Sequence, residues 1–356
     1  MSSVEIMKLI QGNVLSLKPY HVESTDCEIK LHANENPFPP SKELLELFSS
    51  SLQKLQLNRY PDPDSRALKD SIADRLGIET KHLVIGNGSD EIILFLLQVF
   101  CQKGDTITFP DPTFSMYSII AQSLGIKSDR ISLDSHWDFN ADVILQSAEE
   151  NNSKIIFLSY PNNPTGNCFS DTQVQKVIDN FQGIVVIDEA YHDFSRKSFV
   201  NQIKEHNNLI VLRSLSKIGL AALRVGFGVA DPLVISEINK VRLPYNSNTI
   251  SQAFAENLIT NFEAVQTQIN SILDERHRLL DELHKIESVT AFPSDSNFIL
   301  FKTKQPAGSI FAFLSKNGIL VRNLSSHPKL SNCLRVTVGT KSENDRFLSK
   351  LKDFKN

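Results

Sequence analysis

Between about residues 83 and 230 the chain alternates short, uninterrupted apolar runs with segments of helical periodicity. The apolar runs are Leu83–Ile85, Thr106–Phe109, Lys154–Ser159, Ile184–Ile187, Leu209–Leu212 and Val225–Ala230. Strands with one wet face alternate apolar and polar residues. These runs do not, so they read as strands covered on both faces. Helix patterns lie between them at Asp90–Cys101, Phe114–Leu124, Asn140–Glu149 and Asp171–Phe181. The combination predicts an α/β fold, a mostly parallel sheet with helices on both sides. The flanks follow another pattern. Residues 1–30 have weak periodicity and read as an arm, while Ser41–Leu55 and Ser65–Leu76 read as amphipathic helices, the second entered through the turn Pro61-Asp62-Pro63-Asp64. Beyond about residue 250 come a long helical stretch to Ile286, a strand at Asn297–Phe301, a helix at Pro306–Lys316, and strands at Ile319–Arg322 and Leu334–Val338. The expected division is an arm at 1–30, a large domain at 31–250 and a small α+β domain at 251–356 that packs with the arm.

Several function classes are set aside by what is missing. Lysine plus arginine number 37 against 41 acidic residues, so nothing in the charge balance suits nucleic acid or an anionic membrane. The longest apolar stretch, Ile92–Cys101, is too short to span a bilayer. Met1–Ile10 shows no secretory leader, and the four cysteines form no Cys-x-x-Cys pair. The expectation is a cytoplasmic protein with no metal site. His277 and His284 stand on a charged helical stretch and read as solvated surface; no His-Glu-x-x-His, Gly-x-Ser-x-Gly, phosphate-loop or Gly-x-Gly-x-x-Gly pattern occurs.

Ligands of open parallel sheets sit at the carboxyl ends of the strands, which directs attention to the polar residues after each apolar run. Gly86-Asn87-Gly88-Ser89-Asp90-Glu91 follows the first run and opens a helix, so its backbone amides could bind phosphate, or it is a plain turn capped by Ser89 or Asp90. Tyr160-Pro161-Asn162-Asn163-Pro164-Thr165-Gly166 pins two asparagines between prolines. Asp188-Glu189-Ala190-Tyr191 places a carboxylate at the end of a fully apolar strand, where it needs a cation, either a protonated ligand nitrogen or a structural arginine. Arg213-Ser214-Leu215-Ser216-Lys217 followed by Arg224 supplies hydroxyls, an amine and a guanidinium within a short span. An amine, an acid, an amide, a phenol and an anion cradle together are what pyridoxal phosphate requires.

These segments resemble the fold-type I pyridoxal-phosphate aminotransferases, and within that superfamily the chain is most similar to the histidinol-phosphate aminotransferases. Asn34-Glu35-Asn36-Pro37, Arg59-Tyr60-Pro61-Asp62, Pro112-Thr113-Phe114-Ser115-Met116-Tyr117 and Cys333-Leu334-Arg335-Val336-Thr337-Val338-Gly339 add to the likeness, which covers nearly the whole chain in the family's order. The resemblance implies a seven-stranded sheet sandwiched by helices in the large domain. It implies that Lys217 binds the cofactor through its amine and moves the substrate proton, and that Asp188 pairs with the pyridine nitrogen. Asn163 and Tyr191 would bond the ring's phenolic oxygen, and Phe114 would stack on the ring. Ser89, Asp90, Ser214, Ser216 and Arg224 would hold the phosphate, joined by Tyr60 from the second subunit of a homodimer with shared sites. Tyr20, Asn36, Arg322 and Arg335 would bind substrate. The implied reaction converts L-histidinol phosphate and 2-oxoglutarate to imidazole-acetol phosphate and L-glutamate in histidine biosynthesis. An aromatic amino-acid aminotransferase and a threonine-phosphate decarboxylase share the same fold and remain alternatives.

Overall fold

The computed structural model describes residues 3–19 and 26–354. A first strand, β1 (Ile29–Leu31), precedes seven strands of one sheet: β2 (Leu83–Asn87), β3 (Thr106–Asp111), β4 (Lys127–Ser132), β5 (Ser153–Ser159), β6 (Ile184–Asp188), β7 (Leu209–Ser214) and β8 (Val225–Val229). Their spatial order is β2-β8-β7-β6-β5-β3-β4. The pairs β4/β3, β3/β5, β5/β6 and β6/β7 are parallel, and β8 is antiparallel to both its neighbours.

The continuous apolar runs are explained by where alternate residues go. Val185 and Ile187 of β6 enter one core, while Val186 between them enters another on the opposite face. Ile156 and Leu158 of β5 likewise face away from Ile155 and Phe157. Each such side chain, almost fully buried, contributes about 1.5–3 kcal/mol relative to exposure. No position on these strands is left for a polar residue until the strand ends. Helices cover both cores, among them Ser89–Phe100 on one side and Ala141–Glu150 and Asp171–Asn180 on the other.

After β3 the chain turns outward to β4, and after β5 it turns the other way to β6. Neighbouring strands whose connections diverge leave a crevice at their carboxyl ends, where ligands of such sheets bind.

Four further strands, β9 (Val289–Ala291), β10 (Phe298–Thr303), β11 (Ile319–Asn323) and β12 (Cys333–Thr337), form a second sheet with β1, ordered β1-β11-β12-β10-β9. β1 runs parallel to β11, and the remaining pairs are antiparallel. The N-terminal segment therefore supplies an edge strand to a sheet completed near the end of the chain.

Three elements differ from the sequence expectation. β4 has only one buried residue, Ile131, because it is the polar edge of the large sheet, so no apolar run marks it. A helix at Pro232–Val241, capped by Asp231, follows β8. The long stretch beyond 250 is two helices, Thr249–Thr260 and Glu263–His284, broken at Asn261 and Phe262. His277 and His284 are exposed on the second of these, as their surroundings in sequence suggested.

Candidate functional site

A cavity of about 470 Å³ opens where the strand ends of the large sheet meet the second sheet. One end of it is an anion cradle. Gly88, at φ +82°, leads into the helix Ser89–Phe100 and lets Arg224 lie close, since a Cβ there would stand 2.6 Å from Nη2. A Cβ on Gly226 would meet the Ser89 amide at 2.4 Å, so β8 can approach the helix start only as glycine. Arg224 donates to Ser216 Oγ at 3.2 Å and pairs with Asp90 at 3.3 Å. Ser214 Oγ accepts from the Ser216 amide at 3.2 Å. Hydroxyls, a guanidinium and the positive end of a helix thus converge, a donor set suited to phosphate.

Asp188 ends β6, Glu189 follows it directly, and the two meet opposite fates. Glu189, 1% exposed, forms a 3.0 Å ion pair with Arg213 and accepts from the Phe199 amide at 2.7 Å. Asp188, 3% exposed, accepts from the Tyr117 hydroxyl at 2.8 Å and the Ala190 amide at 3.1 Å, without a cation against it among the described residues. Burial pushes its carboxyl up to about 6, against the pull of those two hydrogen bonds. It lines the cavity, so a cationic partner has to come from there.

Lys217 shows the complementary condition. Its amine lies 3.5 Å from the Ala33 carbonyl and makes no ion pair among the described residues. Burial pushes it down to about 8, and Arg335 and Arg224 act in the same direction, against Asp90 and Glu35. Most of its surface is covered by protein, and the small part left exposed lines the cavity. A lysine of this kind carries a substantial neutral fraction near pH 8 and is nucleophilic. Nearby, the buried Tyr191 hydroxyl accepts from Asn34 Nδ2 at 2.9 Å. Asn34 (φ +56°) is itself held by Thr337 and Asn297.

The two asparagines divide their work as well. Asn162 is fully buried and bonded to Pro112 O, Thr165 and Thr113, so it braces the loops after β3 and β5. Asn163 faces the cavity and accepts from Arg335, whose other terminal nitrogen donates to His32 O at 2.8 Å. Arg335 and Arg322 are directly opposite each other in the antiparallel β11/β12 register, and both line the cavity. Phe114 lines it too, with Tyr117 edge-on at 5.5 Å.

The structure therefore gathers Ser89, Asp90, Phe114, Asn163, Asp188, Tyr191, Ser214, Ser216, Lys217, Arg224, Arg322 and Arg335 around one cavity. Two expected residues stand elsewhere. Asn36 spends its amide on Ile218 O, Gln268 and the Phe38 amide and does not line the cavity. Tyr60 is 80% exposed and stacks on Tyr245. Tyr20 lies outside the described residues. Sequence reasoning assigned no role to Tyr117, Asn34 or His32. Tyr117 closed the quoted segment Pro112-Thr113-Phe114-Ser115-Met116-Tyr117, and its place in that segment was its signal.

Pyridoxal phosphate fits these residues on three grounds visible in the fold: the cradle, the buried acid that lacks a cation, and the buried amine that lacks an anion. The comparisons agree. The family model described as aminotransferase class I and II matches residues 27–351. The histidinol-phosphate aminotransferase of Aquifex aeolicus is 39% identical over 97% of this chain and 98% of its own. Among solved structures, a histidinol-phosphate aminotransferase of Sinorhizobium meliloti in complex with pyridoxal-5'-phosphate superposes with a TM-score of 0.88 at 20% identity, covering 97% of this chain and 96% of that one. L-threonine-O-3-phosphate decarboxylase of Porphyromonas gingivalis superposes with a TM-score of 0.80 at 20% identity, covering 92% and 99%. At these identities the two superpositions speak for the fold.

Proposed function

This chain belongs to the class I and II aminotransferases, and on that premise we propose that it is a pyridoxal-phosphate enzyme converting L-histidinol phosphate and 2-oxoglutarate to imidazole-acetol phosphate and L-glutamate. The observation that carries the chemistry is the pairing of Lys217 and Asp188, two buried groups of opposite kind facing one cavity with no counter-ion of their own among the described residues. When bound, pyridoxal 5'-phosphate supplies an aldehyde that condenses with amines and a ring that accepts the electron pair released at the substrate carbon. The protein's contribution is placement and charge. Ser89, Ser214, Ser216 and Arg224 hold the phosphate. Asp188 holds the proton on the pyridine nitrogen, and Tyr117, with the Ala190 amide, fixes the carboxylate that does so. Asn163 and Tyr191 bond the ring's phenolic oxygen, and Phe114 covers a ring face. Lys217 Nζ moves the proton at the substrate carbon, a task suited to an amine whose affinity for protons is lowered by burial.

Substrate choice rests on the arginine pair. Arg322 and Arg335 stand directly opposite each other and both line the cavity, and two guanidiniums on one wall suit an anion as their shared ligand. Such a site accepts the phosphate of one substrate and a carboxylate of the other in alternate half-reactions. The identity shared with histidinol-phosphate aminotransferases supports that donor.

The working unit we propose is a homodimer with shared sites, in which Tyr60 reaches the partner's cofactor phosphate. Supporting it are the exposed Ile6, Met7, Leu9 and Ile10 of the N-terminal segment and the exposed Leu243 beside the Tyr60–Tyr245 stack. The arm, large domain and small domain at 1–30, 31–250 and 251–356 are the functional units in this reading, with β1 reaching from the first boundary into the second sheet. No helix of the described residues is long and apolar enough to cross a membrane, and a cytoplasmic location is proposed.

A panel of half-reactions tests the donor. Histidinol phosphate, phenylalanine, tyrosine, glutamate and threonine phosphate are added singly to the holoenzyme while the cofactor's visible band is followed. Histidinol phosphate and glutamate should react fastest. A preference for phenylalanine or tyrosine, or release of carbon dioxide from threonine phosphate, would replace this reading.

A further inference from the structure

Resting on the reading above, we propose that His32 is a specificity-determining residue that donates a hydrogen bond from Nε2 to the anionic end of the substrate, selecting a phosphate monoester over a carboxylate. The placement comes from the second sheet. Leu31, the last residue of β1, pairs with Val321 in parallel register, so His32 and Arg322 are the next residues side by side. Arg322 in turn opposes Arg335. His32, Arg322 and Arg335 thus form one row across three neighbouring strands, and all three line the cavity. The His32 backbone is tied into the same cluster, since its carbonyl accepts from Arg335 Nη2 at 2.8 Å.

The ring's own chemistry fixes the direction of the bond. Nδ1 is sealed inside the protein without a hydrogen-bond partner among the described residues. A buried orphan N–H is rarer than an under-used acceptor, so the proton of the neutral ring belongs on Nε2, the nitrogen left for the cavity side. Burial, with Arg322, Arg335 and Lys30, lowers the affinity of the ring for a second proton, against Glu35. His32 is therefore a neutral donor set among cations, adding a hydrogen bond without adding charge repulsion. Two guanidiniums saturate the two oxygens of a carboxylate. A phosphate monoester has a third terminal oxygen, and it is the oxygen that gains from a third donor.

The test compares donors in His32→Leu, His32→Gln and His32→Asn holoenzymes. The glutamine amide nitrogen reaches toward the position of Nε2, whereas that of asparagine reaches toward Nδ1. His32→Leu should raise KM for histidinol phosphate about tenfold, the equivalent of one hydrogen bond to a charged group, with the glutamate half-reaction changed less than about threefold. His32→Gln should recover most of the loss and His32→Asn should not. Inorganic phosphate, assayed as a competitor of glutamate, should weaken in the same order. Equal losses for both donors, no loss for either, or identical behaviour of His32→Gln and His32→Asn overturns the role of His32. The proposed function fails separately. In that case wild-type holoenzyme reacts with glutamate but not with histidinol phosphate, and the phosphate competition still decides the question for His32.

Discussion

At the floor of the cavity Asp188, Ser214 and Lys217 stand at or just beyond the ends of strands sealed between two cores, and the two ionisable groups among them are disfavoured in their charged forms. At its roof Arg322 and Arg335 project from a second sheet, opposite each other, with His32 alongside. The floor creates a need by burial, for a cation beside the acid and for an electrophile beside the amine. The roof makes an offer instead, two guanidiniums on one wall for an anion. The cofactor answers the floor with a basic ring and an aldehyde, and a substrate that carries an acid group answers the roof. The comparison teaches that a binding site can be recognised from what its residues lack as well as from what they offer.

The comparison can be broken most directly at Lys217, since no other lysine lines the cavity among the described residues. Lys217→Ala should abolish turnover, and borohydride should no longer attach cofactor to the protein; a surviving reducible linkage would mean the floor is misassigned. Next in size, Asp188→Ala should cost about 3 kcal/mol in kcat, the scale of removing one preorganised electrostatic group. Tyr117→Phe, which leaves the carboxylate in place, should cost about 1 kcal/mol. Equal effects would show that the acid matters only as Tyr117's partner. At the roof, Arg335→Ala should weaken anionic substrates by about 1.5–3 kcal/mol per lost hydrogen bond. Single-turnover rates with histidinol phosphate, glutamate and phenylalanine locate the group it grips. A loss confined to the first two places the distal anion there, and a joint loss of glutamate and phenylalanine places the α-carboxylate there.

A further effect concerns the cofactor-free protein. The Asp188 carboxyl is raised from 3.8 to about 6. The folded state therefore holds that proton more tightly than the unfolded chain, and the stability this brings is lost as pH rises through about 6. The Lys217 amine is lowered from 10.5 to about 8. Its contribution is present above pH 10.5 and lost as pH falls through about 8. Urea midpoints of the cofactor-free protein should thus be lowest between the two ranges, by on the order of 2 kcal/mol. Loading the cofactor should flatten the curve, and an unchanged profile would show that it does not meet these groups.

The floor was legible in sequence because each of its residues follows an apolar run directly, so local order announces spatial position. Ser214-Leu215-Ser216-Lys217 and Asp188-Glu189-Ala190-Tyr191 could be read in this way. The division of labour inside a motif could not. Nothing local separates Asp188 from Glu189, and only the fold shows that Arg213 meets the second acid. The roof was half legible. Arg322 and Arg335 end or sit in apolar runs, but His32 joins them only through a pairing between strands almost three hundred residues apart. β4 escaped notice because an edge strand need not be apolar, and Asn36 looked available only because its partners Ile218 and Gln268 lie far along the chain.

That same pairing of β1 with β11 orders events during synthesis. Every strand of the large sheet has left the ribosome once Val229 is out, and that sheet can close before any of β9 to β12 is made. Ile29–Leu31 emerges before all of the large sheet and must wait for Ile319–Val321 before its hydrogen bonds are met. The newborn chain therefore carries an unpaired strand edge while almost three hundred residues are added, and a nascent polypeptide stalled before Ile319 would expose it to every neighbour on the polysome.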